Sequence, residues 1–508
     1  MGPRRAMKSR KALRALAAIL FCALGFWLAI PTPYRERTYL IDANGCRMET
    51  AVVESPTGGT QGSVVLFHGI SANKKIMSYM ARGFAAAGLR VYVPDFPGHG
   101  RTPGPFSPAR VEQCGESLVR ELLARGAISP ERTILAGHSM GAAAAIRIAS
   151  RVRVAGVIAI SPAPMRAAHG VTPEKLLFSD PPPLPAHSLV MMGGLELESM
   201  RGNAADLVAF SKDGTSKYVE IPGATHVGIL FASTGMRAAQ DWAAQIFGTV
   251  PSRTLPSHRP LAGALVGYVG ILLIAGPFLR EAVGQKPPKE GIASGVEVSL
   301  GRVFLEFAAG SILIVLLLRF WNPLKVIGIF QGDYLASFLW LLGVALVLAH
   351  WKSLRTTLSA PVRALAAAAF AALVLHLLVT AWFDLSFYEA WLTAAKWARF
   401  PLLLIVLLPY HIAEEFLLGA PQPGRGWQRL AAGLSLRLIC WGALMAGVLF
   451  LHSGEILMGL LSVYMALFNL IQRKGMDIVR NETGSVTATA LFGAILLAGF
   501  CLVIFPIT

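Results

Sequence analysis

The most chemically pointed stretch of this 508-residue chain is Gly137-His138-Ser139-Met140-Gly141. A serine hydroxyl is a weak nucleophile until a base takes its proton. A serine with glycines two residues to either side has the pattern of a sharp strand-to-helix turn that lifts the hydroxyl above a sheet edge. The glycines matter because a Cβ at either place would clash inside so strained a turn. On composition alone such a match arises roughly 0.3 times in a chain of this length, so context must decide. Here TILAG, 133–137, reads as a strand before the serine, and 140–151 reads as an alanine-rich helix after it.

The base should be a histidine. Six precede the end of the non-apolar half: His68, His99, His138, His169, His187 and His226. Only His226, in IPGATHVGIL, follows the last strand, as the chain order serine, acid, histidine requires. The acid should follow the preceding strand, where SLVMMGGLELES offers Glu196, with Glu198 as the alternative. A carboxylate there would fix the imidazole tautomer and stabilise the imidazolium. The oxyanion of a tetrahedral intermediate needs two backbone N–H donors. Met140, at a helix N-terminus, is one candidate, and Ile70, in the His68-Gly69-Ile70-Ser71 loop, is the other. His68 itself reads as a loop-shaping residue.

These groups need a frame. Thr38–Ser55 reads as two strands about an Asn44-Gly45 turn. Gly62–Phe67, Leu89–Pro94, Thr133–Gly137, Val154–Ser161, Ser188–Gly194 and Lys217–Gly223 read as further strands. Helical stretches over about 75–87, 112–125 and 140–151 separate several of them. That alternation predicts an α/β, doubly wound and mostly parallel sheet covered on both faces.

Taken together, VVLFHG, DFPGHGRT, GHSMG, MMGGLE and PGATH resemble the α/β-hydrolase superfamily over about 60–250, in particular its monoacylglycerol-lipase and serine-aminopeptidase-like branch. The resemblance implies Ser139 as nucleophile, His226 as base, Glu196 as acid, and Ile70 and Met140 as oxyanion donors. Members of this fold often carry Asp where Glu196 stands. Asp95 and His99 belong to the family pattern and read as loop-shaping. The stretch 162–187, with Pro181-Pro182-Pro183 and Pro185, is too short for a helical lid of several elements, so an open site is expected.

Composition places this frame in a larger setting. Hydrophobic residues make up 54% of the chain and charged ones 15%, against about 25% charged in soluble domains, so much of it belongs in lipid. Residues 1–30 combine a basic start with an apolar run and read as a membrane anchor rather than a cleaved signal. Residues 31–258, with 22 basic and 17 acidic residues, read as the α/β domain. Residues 259–508 read as an all-α membrane domain of about eight spans, near 260–279, 300–318, 333–350, 362–383, 398–418, 430–451, 455–471 and 485–506. With the N-terminus inside, the inside segments hold 18 basic residues and the short outside loops 4. That bias puts the α/β domain and the C-terminus outside the cytoplasm. It also explains much of the +17 net charge as a topology signal, which excludes nucleic acid as partner. Cys46 and Cys114 fall in the exported part, where either a disulfide or two thiols fits the spacing. Cys22, Cys440 and Cys501 read as packing residues in apolar spans.

Within the spans, Tyr410-His411-Ile412-Ala413-Glu414-Glu415 stands out, because ionisable groups in a bilayer are costly. With His452 and Asn469 it faintly resembles the CAAX-protease and bacteriocin-processing family of intramembrane enzymes. The arginine expected after the glutamate pair is absent, as is a histidine in ATALFGAILL, which implies a lost site. The reading preferred over that one is of interfacial carboxylates facing Arg425 or a neighbouring helix. His376 reads as a packed, hydrogen-bonded helix histidine. No metal, nucleotide or redox motif appears, so no cofactor is implied. The expected partners are the lipid bilayer and an ester or lipid-like substrate. The reading that follows is a membrane-embedded serine hydrolase of carboxylic esters. Acyl transfer, peptide hydrolysis and a non-enzymatic transport or assembly scaffold are the alternatives.

Overall fold

The structure, a computed structural model, describes residues 3–29, 34–56, 58, 60–179, 182–211, 214–284, 299–422, 424–451 and 456–508. The chain divides into two compact units. One comprises residues 26–264 with Phe383–Trp391 and Pro506–Thr508, and the other holds residues 1–25, 265–382 and 392–505. Residues 259–264 and two short later pieces therefore belong to the sheet-bearing unit, beyond the boundary at 258 read from the sequence.

Helix α1, Pro3–Ala29, opens the chain. The sheet-bearing unit then runs β1 (Arg35–Ala43), β2 (Cys46–Glu54), β3 (Gly62–Phe67), α2 (Ser78–Ala86), β4 (Leu89–Pro94), α3 (Pro108–Ala124), β5 (Thr133–His138), α4 (Met140–Ala149), β6 (Gly156–Ile160), β7 (Ser188–Gly193), α5 (Glu198–Ala209), β8 (Lys217–Ile221) and α6 (Ser233–Phe247). The strand order is β1-β2-β4-β3-β5-β6-β7-β8. Strands β3 to β8 are mutually parallel, and β1 and β2 join antiparallel at one edge. Asn44 and Gly45, at φ 51° and 77°, make the expected two-residue hairpin turn. Alternate residues Val64, Leu66, Ile134, Ala136, Ile158 and Met191 build one core with Met80 and Phe84 of α2 and Met236 of α6. The intervening Val65, Phe67, Leu135 and Val157 are just as buried, so both faces are covered, as a parallel sheet requires.

Helix α3 begins four residues before the expected start at Glu112. Ser107 accepts a hydrogen bond from the Arg110 amide, and Pro108 occupies the first turn, where its missing N–H costs nothing. Cys46 of β2 and Cys114 of α3 form a disulfide across a Cα–Cα distance of 5.4 Å, which settles the choice between a pair and two thiols.

The other unit is helical. After α7 (Arg259–Val283), which begins in the first unit, come α8 (Leu300–Leu318), α9 (Gly332–Ala349), α10 (Trp351–Leu354), α11 (Val362–Ser386), α12 (Ala394–Leu417), α13 (Gly426–Phe450), α14 (Ile456–Leu460), α15 (Ser462–Thr483) and α16 (Val486–Ile504). Among the described residues, eight helices are long and apolar enough to cross a membrane: α1, α7, α8, α9, α11, α12, α13 and α16. The span expected at 455–471 differs. The chain there forms α14 and then α15, which carries Arg473, Lys474, Asp477 and Arg480 and does not reach that apolar standard.

Arg473, Asp477 and Arg480 have charged partners, whereas Lys474 is exposed. Arg437 of α13 holds both carboxylate oxygens of Glu414, at 2.7 and 2.9 Å. Arg473 reaches Glu414, Glu415 and Asp477, and Arg429 reaches Glu415 at 2.7 Å and Asp477 at 3.0 Å. Glu414 and Glu415 therefore face arginines of α13 and α15, not Arg425, which bonds Gln422. His452 of the faint protease resemblance lies outside the described residues. His376 is buried, as a packed histidine would be, but its Nε2 has no hydrogen-bond partner among the described residues. Arg429, Arg473 and Arg480, counted above as loop charges, are buried in this network. Removing one partner of a buried ion pair strands the others at about 3–5 kcal/mol. Arg473→Met should therefore lower the thermal midpoint of the detergent-solubilised protein by many degrees, whereas exposed Trp427→Ala should leave it within about a degree or two.

Candidate active site

Ser139 stands between β5 and α4 with φ 53° and ψ −118°, a conformation that ordinary residues avoid. The flanking glycines make it attainable. A Cβ on Gly137 would lie 2.3 Å from the Gly141 carbonyl oxygen, and one on Gly141 would lie 2.5 Å from the His68 and Phe67 oxygens. The Ser139 amide is tied to the Ile160 carbonyl at 2.9 Å, anchoring the turn to the neighbouring strand.

His226, in the loop after β8, places Nε2 3.0 Å from Ser139 Oγ. Its Nδ1 lies 2.7 Å from Glu196 Oε2. The three residues come from three separate strand ends, and they form one continuous hydrogen-bonded chain. Glu196 Oε1 accepts from the Gly193 amide at 2.9 Å and from Ser161 Oγ at 2.5 Å. Burial by itself would raise the Glu196 pKa, but His226, Ser161 and Gly193 outweigh it and hold the carboxyl below its ordinary value. Glu198, the alternative acid, begins α5 with its side chain largely in solvent and bonds Arg201.

Sequence reading missed Ser161. It follows the wholly apolar strand β6, immediately beside β7, the strand that leads to Glu196. Its left-handed backbone, φ 44°, and its bond to Glu196 belong to the fold and leave no mark in the sequence.

The other histidines have different work. Phe96 N–H donates to His68 Nε2 at 2.9 Å, so the neutral ring must carry its proton on Nδ1, which donates to the Gly69 carbonyl at 2.7 Å. Burial pushes its pKa down to about 4. His138 reaches the His226 carbonyl through Nε2 at 2.7 Å, and burial, with the adjacent His226, takes its pKa down to about 3. Both rings stay neutral and structural at neutral pH. His99 bonds the Pro97 carbonyl and stacks edge-on against Phe106, in keeping with a loop-shaping part.

Met140 is the first residue of α4, where amide N–H groups have no partner inside the helix. Ile70 follows Gly69, and a Cβ built on Gly69 would sit only 3.1 Å from Ser139 Cβ, so the two loops meet at the nucleophile. The described part of the segment 162–187 contains a single 3₁₀ turn, Pro173–Lys175, and no helical lid.

The sheet order and the Ser139 turn are those of an α/β-hydrolase fold. Residues 64–277 match the model of the alpha/beta hydrolase family, which bears out the resemblance read from the motifs. An esterase of Escherichia coli (strain K12), YjfP, is 34% identical over 98 residues, covering 17% of this chain and 39% of that esterase. Among solved structures, a lidless α/β serine hydrolase from Xanthomonas campestris aligns over 45% of this chain and 98% of its own at 19% identity, with a TM-score of 0.34. A monoacylglycerol lipase from Paleococcus ferrophilus aligns over 40% and 99% at 20% identity, with a TM-score of 0.31.

Proposed function

We infer that this protein is a membrane-embedded serine hydrolase that cleaves carboxylic esters, lipid esters included, through an acyl-enzyme on Ser139. The observation that carries this is the unbroken chain from Ser139 Oγ to His226 to Glu196, at 3.0 and 2.7 Å. His226 Nε2 takes the Ser139 proton as Oγ attacks the ester carbonyl, and Glu196 stabilises the imidazolium. The amides of Met140 and Ile70 receive the oxyanion. Collapse expels the alcohol, which takes its proton from His226. Water, deprotonated by the same imidazole, then releases the acid and frees Ser139. The test is labelling of the full-length protein by a fluorophosphonate together with hydrolysis of p-nitrophenyl esters. Absence of both in folded protein would reject this reading. A product ester or amide formed only when an alcohol or amine acceptor is added would redirect it to acyl transfer.

The same proposal places the α/β unit outside the cytoplasm, with the N-terminus inside and α1 retained as an anchor. Cys22 Sγ of α1 lies 4.0 Å from the Gly267 carbonyl of α7, a contact a retained helix would keep. A disulfide between Cys46 and Cys114 suits an oxidising compartment. The sheet-bearing unit also includes Phe383–Trp391 and Pro506–Thr508. Chain that leaves this unit and returns must cross an even number of times. Helices α7, α8, α9 and α11 satisfy this before Trp391. After it, α12, α13 and α16 do so only if α15 crosses as well, with Arg473 paired to Glu414 and Glu415. A reporter active only when exported should therefore work when fused after Thr508 and be silent when inserted at Lys286, a position outside the described residues. Activity at Lys286 would invert the topology.

A further inference from the structure

Buried charge in the α/β unit is concentrated where no step of the proposed chemistry uses it. Lys74 Nζ, almost wholly buried, lies 2.6 Å from Asp95 Oδ2, 2.5 Å from Glu389 Oε1 and 3.4 Å from Glu49 Oε1. The Lys74 amide also donates to Asp95 Oδ1 at 2.7 Å. Glu389 arrives from Phe383–Trp391, the short piece that begins in the last turn of α11 and belongs to the sheet-bearing unit. From the same piece, Tyr388 donates its hydroxyl to the Ser71 carbonyl at 2.8 Å, and the Glu389 carbonyl accepts from Asn73 Nδ2 at 3.4 Å. Asp384 pairs with Lys75 at 3.5 Å and Arg101 at 2.8 Å.

The residues gripped in this way are those of the 69–75 loop, which carries the Ile70 amide. That loop turns through Ser71 at φ 56°, left-handed backbone that a serine adopts at a cost, with the Ala72 amide closing on the Gly69 carbonyl at 3.2 Å. A turn with this strain needs outside contacts to hold it. Tyr388 binds the carbonyl of the strained residue itself. Glu389 and Asp95 clamp the lysine three residues further on. A buried ion cluster adds little net stability, because desolvation offsets attraction; what it confers is one geometry.

We propose that Tyr388 and Glu389 are positioning residues that hold the 69–75 loop, and through it the Ile70 amide, in register with Ser139. The inference rests on the serine-hydrolase reading above and adds a part of the chain more than 300 residues away to its machinery. It makes the segment after α11 a component of the site, so the α/β domain alone is incomplete.

The test uses the full-length protein in detergent with p-nitrophenyl butyrate. Tyr388→Phe should lower kcat about tenfold with KM within about twofold, because a displaced oxyanion donor weakens the transition state and leaves ground-state binding alone. Glu389→Ala should lower kcat further, up to about 100-fold, a loss on the scale of one missing oxyanion donor. Glu389→Gln, which keeps the shape and one acceptor for Lys74, should recover most of it. Affinity for a trifluoromethyl ketone, whose hemiketal carries the oxyanion, should fall in step with kcat across the three variants. Unchanged kcat and inhibitor affinity in folded Tyr388→Phe and Glu389→Ala, with at most a loss of thermal stability, would overturn the proposal. That outcome is distinct from failure of the hydrolase reading, which would appear as an inert wild type unlabelled by fluorophosphonate.

Discussion

Ser139→Ala should lower ester turnover by about 10⁵- to 10⁶-fold, and His226→Ala by a similar factor, with the thermal midpoint of each variant within a few degrees of the wild type. The size follows from the way the residues act as a unit. Without Oγ there is no acyl-enzyme, and without Nε2 the hydroxyl keeps its proton, so either change removes nearly the whole covalent route. The double variant should therefore be no slower than either single one. What remains, about 10³- to 10⁴-fold over water, belongs to the oxyanion donors and substrate binding. The fold should tolerate the first change because Ser139 is held by its backbone: its amide bonds Ile160 and its carbonyl accepts from Ala163. Turnover within tenfold of wild type in Ser139→Ala would reject the mechanism.

How much of this could be read from the sequence depends on how local the signal is. The turn at Ser139 was legible because a steric demand writes itself into adjacent positions: Gly137 and Gly141 are glycines for lack of any room at Cβ. His226 was legible from chain order, and Glu196 from its distance past β7, though the spacing left Glu198 open until the loop geometry turned one side chain inward and the other to solvent. Ser161 was not found, because a serine at a strand end is common and its meaning comes from a neighbouring strand in the sheet. Tyr388 and Glu389 lay further out of reach. Nothing in a hydrophobic stretch marks its connecting segment as part of a soluble-type fold, and the contact to Lys74 closes a loop of over 300 residues. The span expected at 455–471 shows the opposite limit. Hydropathy weighs each residue alone, and so could not show that Arg473 of α15 pairs with Glu414, Glu415 and Asp477.

Glu196→Gln should cost about 10⁴-fold in kcat, while Glu198→Gln changes it less than about twofold. The asymmetry comes from which proton each atom can hold. Oε1 of Glu196 accepts two hydrogen bonds, from the Gly193 amide and from Ser161 Oγ, so a glutamine must turn its carbonyl oxygen that way. Its NH₂ then occupies the place of Oε2, 2.7 Å from His226 Nδ1. An NH₂ facing Nδ1 compels that nitrogen to accept, which moves the imidazole proton to Nε2 and leaves no lone pair for the Ser139 hydroxyl. Stability provides a second readout with a definite sign. The folded-state pKa of Glu196 lies below the ordinary carboxylate value, so its ionised form adds stability at pH values above that ordinary value, and this addition disappears as the pH falls through the folded-state pKa. Glu196→Gln lacks that charge at every pH. The thermal midpoints of wild type and Glu196→Gln should therefore stand furthest apart near neutrality and converge in acid. A gap that held constant with pH would mean that the carboxylate is not ionised against His226, and the tautomer argument would fail with it.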